Sequence, residues 1–447
     1  MNAFHLHLAI FRNVALVGGF LLAGGTSQAG SWPQWRGPDG SGHVEGTGFP
    51  MEWSETKNVS WKTKVPGRGH SSPVVEGDLV WMTTAYETPA SEEEIKARLK
   101  SNTGNQPLTL LETVSLRAVR VDPKTGKILL NVEVLKKSKP QWVHKLNSYA
   151  SCTPCLEDGK LYCHFGAFGN ACLDAVTGKV IWRNDDKKLW VMHENGPGSS
   201  PVLWGDHMII HLDGSDKQSV VALRKDTGRI AWQTTRSGKM NSNPQLKKSY
   251  ATPILVKING KDCVASPAAD WLYGYDPATG KELWKVHYGI LGFSNVARPV
   301  VGHGMIYVPT CFMKGEVLGV RYAGLAKPEI AWRLSRGGPK TPSPLLVGNE
   351  LYVVNDAGIA MCLDAKTGEM HWRERINAQF SASPTYADGK IYLCDRNGVT
   401  TVLKPGKAFQ VLAKNQLEGG EHKASLTPYG KAFLVRTEEA FYRIEEK

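Results

Sequence analysis

One unit of sequence recurs along this chain, and its recurrence limits the fold more than any single motif does. The clearest copy runs from Pro344 to Trp372, PLLVGNELYVVNDAGIAMCLDAKTGEMHW. PLLV and ELYVV carry the apolar and β-branched residues of strands, with Gly348-Asn349 as the tight turn between them. IAMCLD makes a third strand. EMHWRER starts a fourth after Ala365-Lys366-Thr367-Gly368. Four short strands cannot bury both faces of their own sheet, so the copies must stack on one another.

A proline marks each first strand, after a small residue in all but Arg298-Pro299: Pro73, Pro154, Pro201, Pro253, Pro299, Pro344, Pro384 and Pro428. The ordinary steps, 40 to 52 residues, fit four strands and their turns. The first step is 81 residues because of an insertion at about 85–115. Within it Ser91-Glu92-Glu93-Glu94 is a capping box that opens a short helix in IKARLK.

The turn before the fourth strand reads Asp122-Pro-Lys-Thr-Gly126, Asp174-Ala-Val-Thr-Gly178, Asp226-Thr-Gly228, Asp276-Pro-Ala-Thr-Gly280 and Asp364-Ala-Lys-Thr-Gly368. The Asp carboxylate can accept from nearby amides, and Gly supplies a positive φ. Trp182, Trp232, Trp284 and Trp372 each follow four residues after the Gly, and Trp332 holds that place in a unit with an altered turn. Such a ring suits packing on the neighbouring sheet.

The last unit, Thr427 to Glu445, supplies only three strands. A lone strand at Asn58 to Val65 carries Trp61 in the fourth-strand position. The expected fold is therefore all-β: a single eight-bladed propeller of four-stranded blades, its N-terminal strand closing the C-terminal blade. Residues 53–447 form the propeller. Residues 30–52, opening near WPQWRGPDGSG, form an irregular clasp in which Trp32 and Trp35 plug the surface.

These turns, the eight units and the closing strand resemble the PQQ-type β-propeller repeat family, which includes quinoprotein alcohol dehydrogenases and the outer-membrane assembly lipoprotein. The resemblance covers about residues 53–447. WPQWRGPDGSG, NQPLTLLETVSLRAV and HENGPGSSPVLWGD are similar to an exported subfamily of the planctomycete type. The resemblance implies a scaffold and no single chemistry. Enzymatic members bind pyrroloquinoline quinone (PQQ) beside calcium, and in the alcohol dehydrogenases adjacent cysteines stack on the quinone. Here no two cysteines are adjacent, and Cys155 is followed by Leu156, so no Cys-x-x-Cys-His haem site exists. The expectation is no enzyme and no cofactor, with PQQ and calcium as the alternative.

No P-loop, Gly-x-Ser-x-Gly elbow or Gly-x-Gly-x-x-Gly is present. His207 and His211 lie on a strand, where four residues span about 13 Å, too far to share a metal. Cys155, Cys172 and Cys362 fall at core positions of the repeat. Cys163 and Cys172 lie roughly opposite across a hairpin, which leaves a disulfide open.

Residues 1–29 read as a secretory signal: Arg12, the core Val14 to Ala23, and the small-x-small site Ser27-Gln28-Ala29. Cleavage after Ala29 would leave a periplasmic or secreted monomer with no transmembrane segment. The formal charge of +12 is spread without a run of five like charges, which argues against nucleic acid.

First-to-second and third-to-fourth turns share one face, and they are short. The long loops, at 85–115 and around 135–149, 185–197, 235–249 and 413–423, fall on the second face, the expected recognition face. Residues just before the first strands would ring a water-filled channel there. Blades 1 and 2 offer Arg68, His70, Lys145, Asn147 and Tyr149. Blade 3 offers His193, Glu194 and Asn195; blade 4, Lys248 and Tyr250; blade 5, Asn295 and Arg298. Blades 6 to 8 add Arg336, Lys340, Gln379, Phe380, Glu421 and His422. The partner expected there is an envelope protein or an anionic ligand, including an anionic glycan.

Overall fold

The structure, a computed structural model, describes residues 31–447 except 101, 103–105 and 377. The signal segment expected at 1–29 lies outside the described residues. Eight antiparallel sheets, each a four-strand meander from axis to rim, form an eight-bladed propeller. In blade 6 the strands are Leu345–Val347, Glu350–Val354, Ile359–Asp364 and Met370–Arg375. The inner strands are buried on both sides because a blade covers each side, so they read as continuous apolar runs. The core is accordingly shared between blades. Cys155, Tyr162, Cys172 and Trp182 of blade 2 pack on Met208, Ile210 and Val221 of blade 3.

Two ties repeat around the ring. The outer one is the fourth-strand Trp. Its indole N–H donates to a carbonyl in the next blade's turn: Trp182 to Lys225, Trp232 to Pro277, Trp332 to Ala365 and Trp372 to Gly406. The ring also lies on the turn glycine. A Cβ at Gly228, where φ is 70°, would fall 2.4 Å from Trp182, so only glycine satisfies both the conformation and the contact. A one-residue bulge precedes these Trp residues and leaves Ile181 and Leu283 exposed.

The inner tie is a chain of hydroxyls around the axis. In seven of the eight blades the residue two before the first strand donates its backbone N–H to the matching hydroxyl of the next blade. The links run Ser72 to Thr153, Thr153 to Ser200 and Ser200 to Thr252. They resume from Arg298 to Ser343, then to Ser383, Ser425 and back to Ser72. These donors are all buried, so each link satisfies an amide that water cannot reach.

Closure follows the expectation. Val59–Lys64 pairs with Ala440–Ile444, and Trp61 donates to Pro123 O at 3.0 Å, the standard outer tie. Some expected boundaries move. Thr427, not the residue after Pro428, occupies the position of Leu345 and Thr385, so Pro428 is two residues out of register and Leu426 takes the proline's place. Leu79–Pro89 and Leu111–Val121 stay paired, so the insertion loop itself is only 90–110. It carries the helix Glu92–Leu99, with Ser91 accepting from Glu94 N. Ile128–Ser138 likewise remains a strand into the loop expected from 135.

The cysteines are all free and buried. Cys163 pairs with Ala171 and Cys172 with Tyr162, so the two thiols project from opposite sides of their sheet into different cores and cannot join.

The clasp departs most from expectation. Ser31–Trp32 adds to the first strand of blade 1 and His43–Val44 to that of blade 7, both at the first-face end. Between them the chain dips into the axis. Arg36 donates to Pro344 O and Pro384 O, and Trp35 Nε1 reaches Ser425 Oγ. Trp32 is core, not surface, packed on Val75, Val80 and Leu434. The axis is therefore threaded by protein. It is not the water-filled channel that the sequence led us to expect.

Candidate functional site

The second face carries the long loops, and most of its expected rim residues turn out to be structural. Tyr149 is fully buried, its hydroxyl donating to Gln141 O at 2.9 Å beneath the blade 1 insertion. His193 accepts from Ala167 N through Nε2 at 2.7 Å, and Tyr250 OH donates to His193 O at 2.6 Å. Asn295 donates to Ala268 O and Tyr288 Oη. Phe380 is core. His422 is buried beside Cys394 Sγ at 3.7 Å. The cause is common to several: a second-to-third loop lies over the fourth-to-first loop and shields it.

Arg298 is the clearest correction. Its guanidinium is buried and donates to Trp35 O at 2.6 Å in the clasp. A Cβ at Gly40 would fall 2.3 Å from its Cζ. Arg36 and Arg298 have only backbone carbonyls as partners, and burial lowers them to about 9 and about 10.

The remaining rim residues are partly accessible. Arg68 donates to Lys145 O. Asn147 binds Asn195 O and Pro197 O. Glu194 accepts from Ser215, Gln245 and the buried Lys248. His70 lines a shallow recess between blades 8 and 1 with Arg436 and Lys423. Burial first, then the nearby cations Lys423, Arg68, Arg436 and Arg396, keep it neutral. Glu421 pairs with Arg396 and Lys423, and Arg396 donates to Gln379 Oε1 at 3.0 Å. Lys145, Arg336, Lys340 and Gln379 are exposed.

Sequence reasoning missed the most accessible apolar group on this face. Ile290, Phe312 and Met313 are 64%, 51% and 66% exposed. They stand on two adjoining loops, 288–296 before blade 5 and 310–316 within it. Phe312 is held edge-on to Phe293 at 5.9 Å, with the Lys340 ammonium 5.0 Å above it. The backbone there is strained. Leu291, Ser294 and Met313 have φ of 68°, 53° and 56°. Leu291 and Met313 are the only apolar side chains at positive φ among the described residues. Each costs about 1 kcal/mol, and such strain collects where a site is held in shape.

No group of three His, Cys, Asp or Glu able to hold a metal occurs among the described residues. Nor does a helix there have the length and apolarity to cross a membrane.

Comparison with known proteins places this geometry. The family described as outer membrane protein assembly factor BamB matches residues 77–234, 117–286, 169–327 and 269–408. BamB of Yersinia pestis is 25% identical over 263 residues, 55% of this chain and 61% of that protein. The quinoprotein alcohol dehydrogenase PedH of Pseudomonas putida is 25% identical over 225 residues, 47% of this chain and 34% of that enzyme. The match thus spans less than two thirds of either relative. In structure, BamB from Moraxella catarrhalis superposes with a TM-score of 0.56 at 13% identity, over 87% of this chain and 99% of that one. The quinohemoprotein alcohol dehydrogenase of Comamonas testosteroni gives 0.53 at 13% identity, over 94% and 81%. Relatives therefore include an assembly factor and oxidoreductases on one fold.

Proposed function

We propose, from the premise that this chain belongs to the PQQ-like β-propeller repeat family, that it is a non-catalytic protein-interaction scaffold of the cell envelope. The relatives named as outer membrane protein assembly factors support the scaffold reading. The observation that carries it is the preformed apolar group of Ile290, Phe312 and Met313 on the second face. A large apolar group held at the tips of two adjoining loops, beside basic side chains, is the form of a protein-docking hot spot. Exposed Arg336 and Lys340 on the adjoining loop favour a partner with acidic residues around its apolar segment. Export through residues 1–29 belongs to the same proposal, and N-terminal sequencing should begin at Gly30.

A quinone beside calcium does not fit the residues on the axis. Arg36 and Arg298 place two buried guanidinium groups there, with the clasp backbone between the blades. Calcium needs several oxygen ligands, carboxylates among them, and would be repelled by these cations. Incubation with PQQ and calcium should leave the absorption spectrum a simple sum. Alcohol-dependent dye reduction would overturn the scaffold reading.

The direct test is quantitative co-purification from the native envelope. A variant carrying Ile290→Ser, Phe312→Ser and Met313→Ser should lose the partner captured by the wild type. Val176→Ser, on an exposed first-face turn, should keep it. The reverse pattern would place recognition on the other face.

A further inference from the structure

Seven of the eight seams between blades carry the inner hydroxyl link, and most also carry the outer indole link. Among the described residues, the seam between blades 4 and 5 alone has neither. On the inside, the acceptor that the Thr252 N–H would meet is replaced by Arg298, which has no acceptor and turns to Trp35 in the clasp. On the outside, blade 5 reads Tyr322-Ala323-Gly324 where other blades carry the Asp-x-x-Thr-Gly turn. The indole N–H of Trp284 is consequently buried with no acceptor in blade 5, facing only the Cys263 thiol of its own blade.

What spans this seam lies at the second face. Besides the shared apolar core, loop 288–296 crosses it. Tyr250 N donates to Asn295 O at 2.6 Å, and Arg333 donates to Tyr288 O at 3.0 Å. The same loop bears Ile290 and the strained Leu291 and Ser294, and it touches blade 5 through Phe293 and Phe312.

We propose that the seam between blades 4 and 5 is the preset opening point of the ring, and that a partner segment seated on Ile290, Phe312 and Met313 bridges it and holds it shut. The partner is a protein segment with an apolar anchor beside carboxylates, because Lys314 and Lys340 flank the tips while Glu316 in the same loop is buried. Binding energy that favours the shut ring must, by linkage, lower the population of the open one. The bridging half rests on the second-face reading of function. The weak seam does not.

Buried cysteines report on individual seams. Cys263 lies in the core between blades 4 and 5, Cys155 and Cys172 between blades 2 and 3, and Cys362 between blades 6 and 7. Burial pushes all four thiols up to about 12, so their labelling rates differ through access and not acidity. Cys311 stands in the exposed loop beside Phe312 and is left out of the comparison.

The purified full-length protein is treated with iodoacetamide under native conditions, and each site is followed by peptide mass spectrometry. Cys263 should be labelled at least about tenfold faster than Cys155, Cys172 and Cys362. Equal rates, or another seam reacting first, overturn the proposal. Trp284→Phe should leave the Cys263 rate within about twofold, because no indole bond across the seam is lost there. Trp182→Phe should speed Cys155 and Cys172 about tenfold. If Trp284→Phe acts as strongly as Trp182→Phe, the seam is not the untied one. In intact envelope membranes Cys263 should slow, and Ile290→Ser with Met313→Ser, which leave the Phe293–Phe312 contact in place, should erase that slowing without changing the purified rate. Absence of slowing refutes the bridge. If capture survives the second-face variants while Cys263 still reacts first in the purified protein, the functional reading fails and the weak seam stands.

Discussion

The two faces of the ring are made by the same chain reversals, yet they use their side chains in opposite ways. On the first face the turns satisfy themselves. Asp174 Oδ1 accepts from Val176 N, Thr177 N and Thr177 Oγ1, and those bonds hold its carboxyl below the usual range. Neighbouring Trp rings lock onto these turns, and the clasp enters the axis from this side. On the second face the longer loops bury uncharged His and Tyr, then leave strained apolar tips in water. The comparison teaches that stability and recognition are divided between faces. The first face carries the outer ties and the clasp, and the second has chain length beyond what the inner hydroxyl links of the ring require.

The largest effect should come from the first-face machinery. Deleting residues 53–65 removes the fourth strand of blade 8 and the Trp61 tie, exposing a sheet edge. Folding should be abolished or weakened by several kcal/mol, since truncating one such Trp alone costs about 3 kcal/mol. An unchanged melting temperature would remove closure from the account.

Next comes the clasp. Arg36→Ala strips donors from Gly40 O, Ser41 O, Pro344 O and Pro384 O, all drawn together across blades 6 and 7. Thermal unfolding should show a loss of about 2 to 3 kcal/mol. Arg336→Ala on the exposed second face should cost under about 0.5 kcal/mol. Similar losses from the two would erase the division of labour.

Acid should act on the second face. Burial lowers His193 to about 3 and His422 to about 4. Each is neutral when folded and titrates at about 6.5 when unfolded. The unfolded chain then binds more protons between those values, so their contribution is present above pH 6.5 and falls as pH drops toward 4. At pH 5 the loss is about 2 kcal/mol for each. Asp270 and Asp395, raised by burial, work in the opposite direction. Melting temperature followed from pH 7 to pH 5 should fall less steeply in a His193→Gln, His422→Gln variant than in the wild type. Equal slopes would mean the imidazoles do not govern that limb.

The smallest stability effect should come from the tips. Ile290→Ser with Met313→Ser should shift stability by less than about 0.5 kcal/mol, because both side chains lie largely in water.

Much of the architecture was legible because it is periodic. The Asp-x-x-Thr-Gly turns, the Trp four residues on, and Trp61 standing alone at the N-terminus sufficed for eight blades and their closure. The clasp was not legible. WPQWRGPDGSG has no period, and the partners of Arg36 lie 308 and 348 residues away. The small residue before nearly every proline was visible as a pattern, but its use as an acceptor for the preceding blade needs the ring to exist. The rim failed for a related reason. Tyr149, His193 and Arg298 sit where a mouth would be, and what covers them comes from other loops. Phe312 and Met313, in CFMKG, look like any loop until their exposure and backbone strain are seen.

The central claim, that partners are met on the second face, is tested most directly by photocrosslinking in the native envelope. A photoreactive amino acid would replace Phe312, Met313 or, on the first face, Val176 or Thr177 in the full-length protein. The account predicts one discrete adduct from positions 312 and 313 and none from 176 and 177. Adducts confined to 176 and 177 would contradict it.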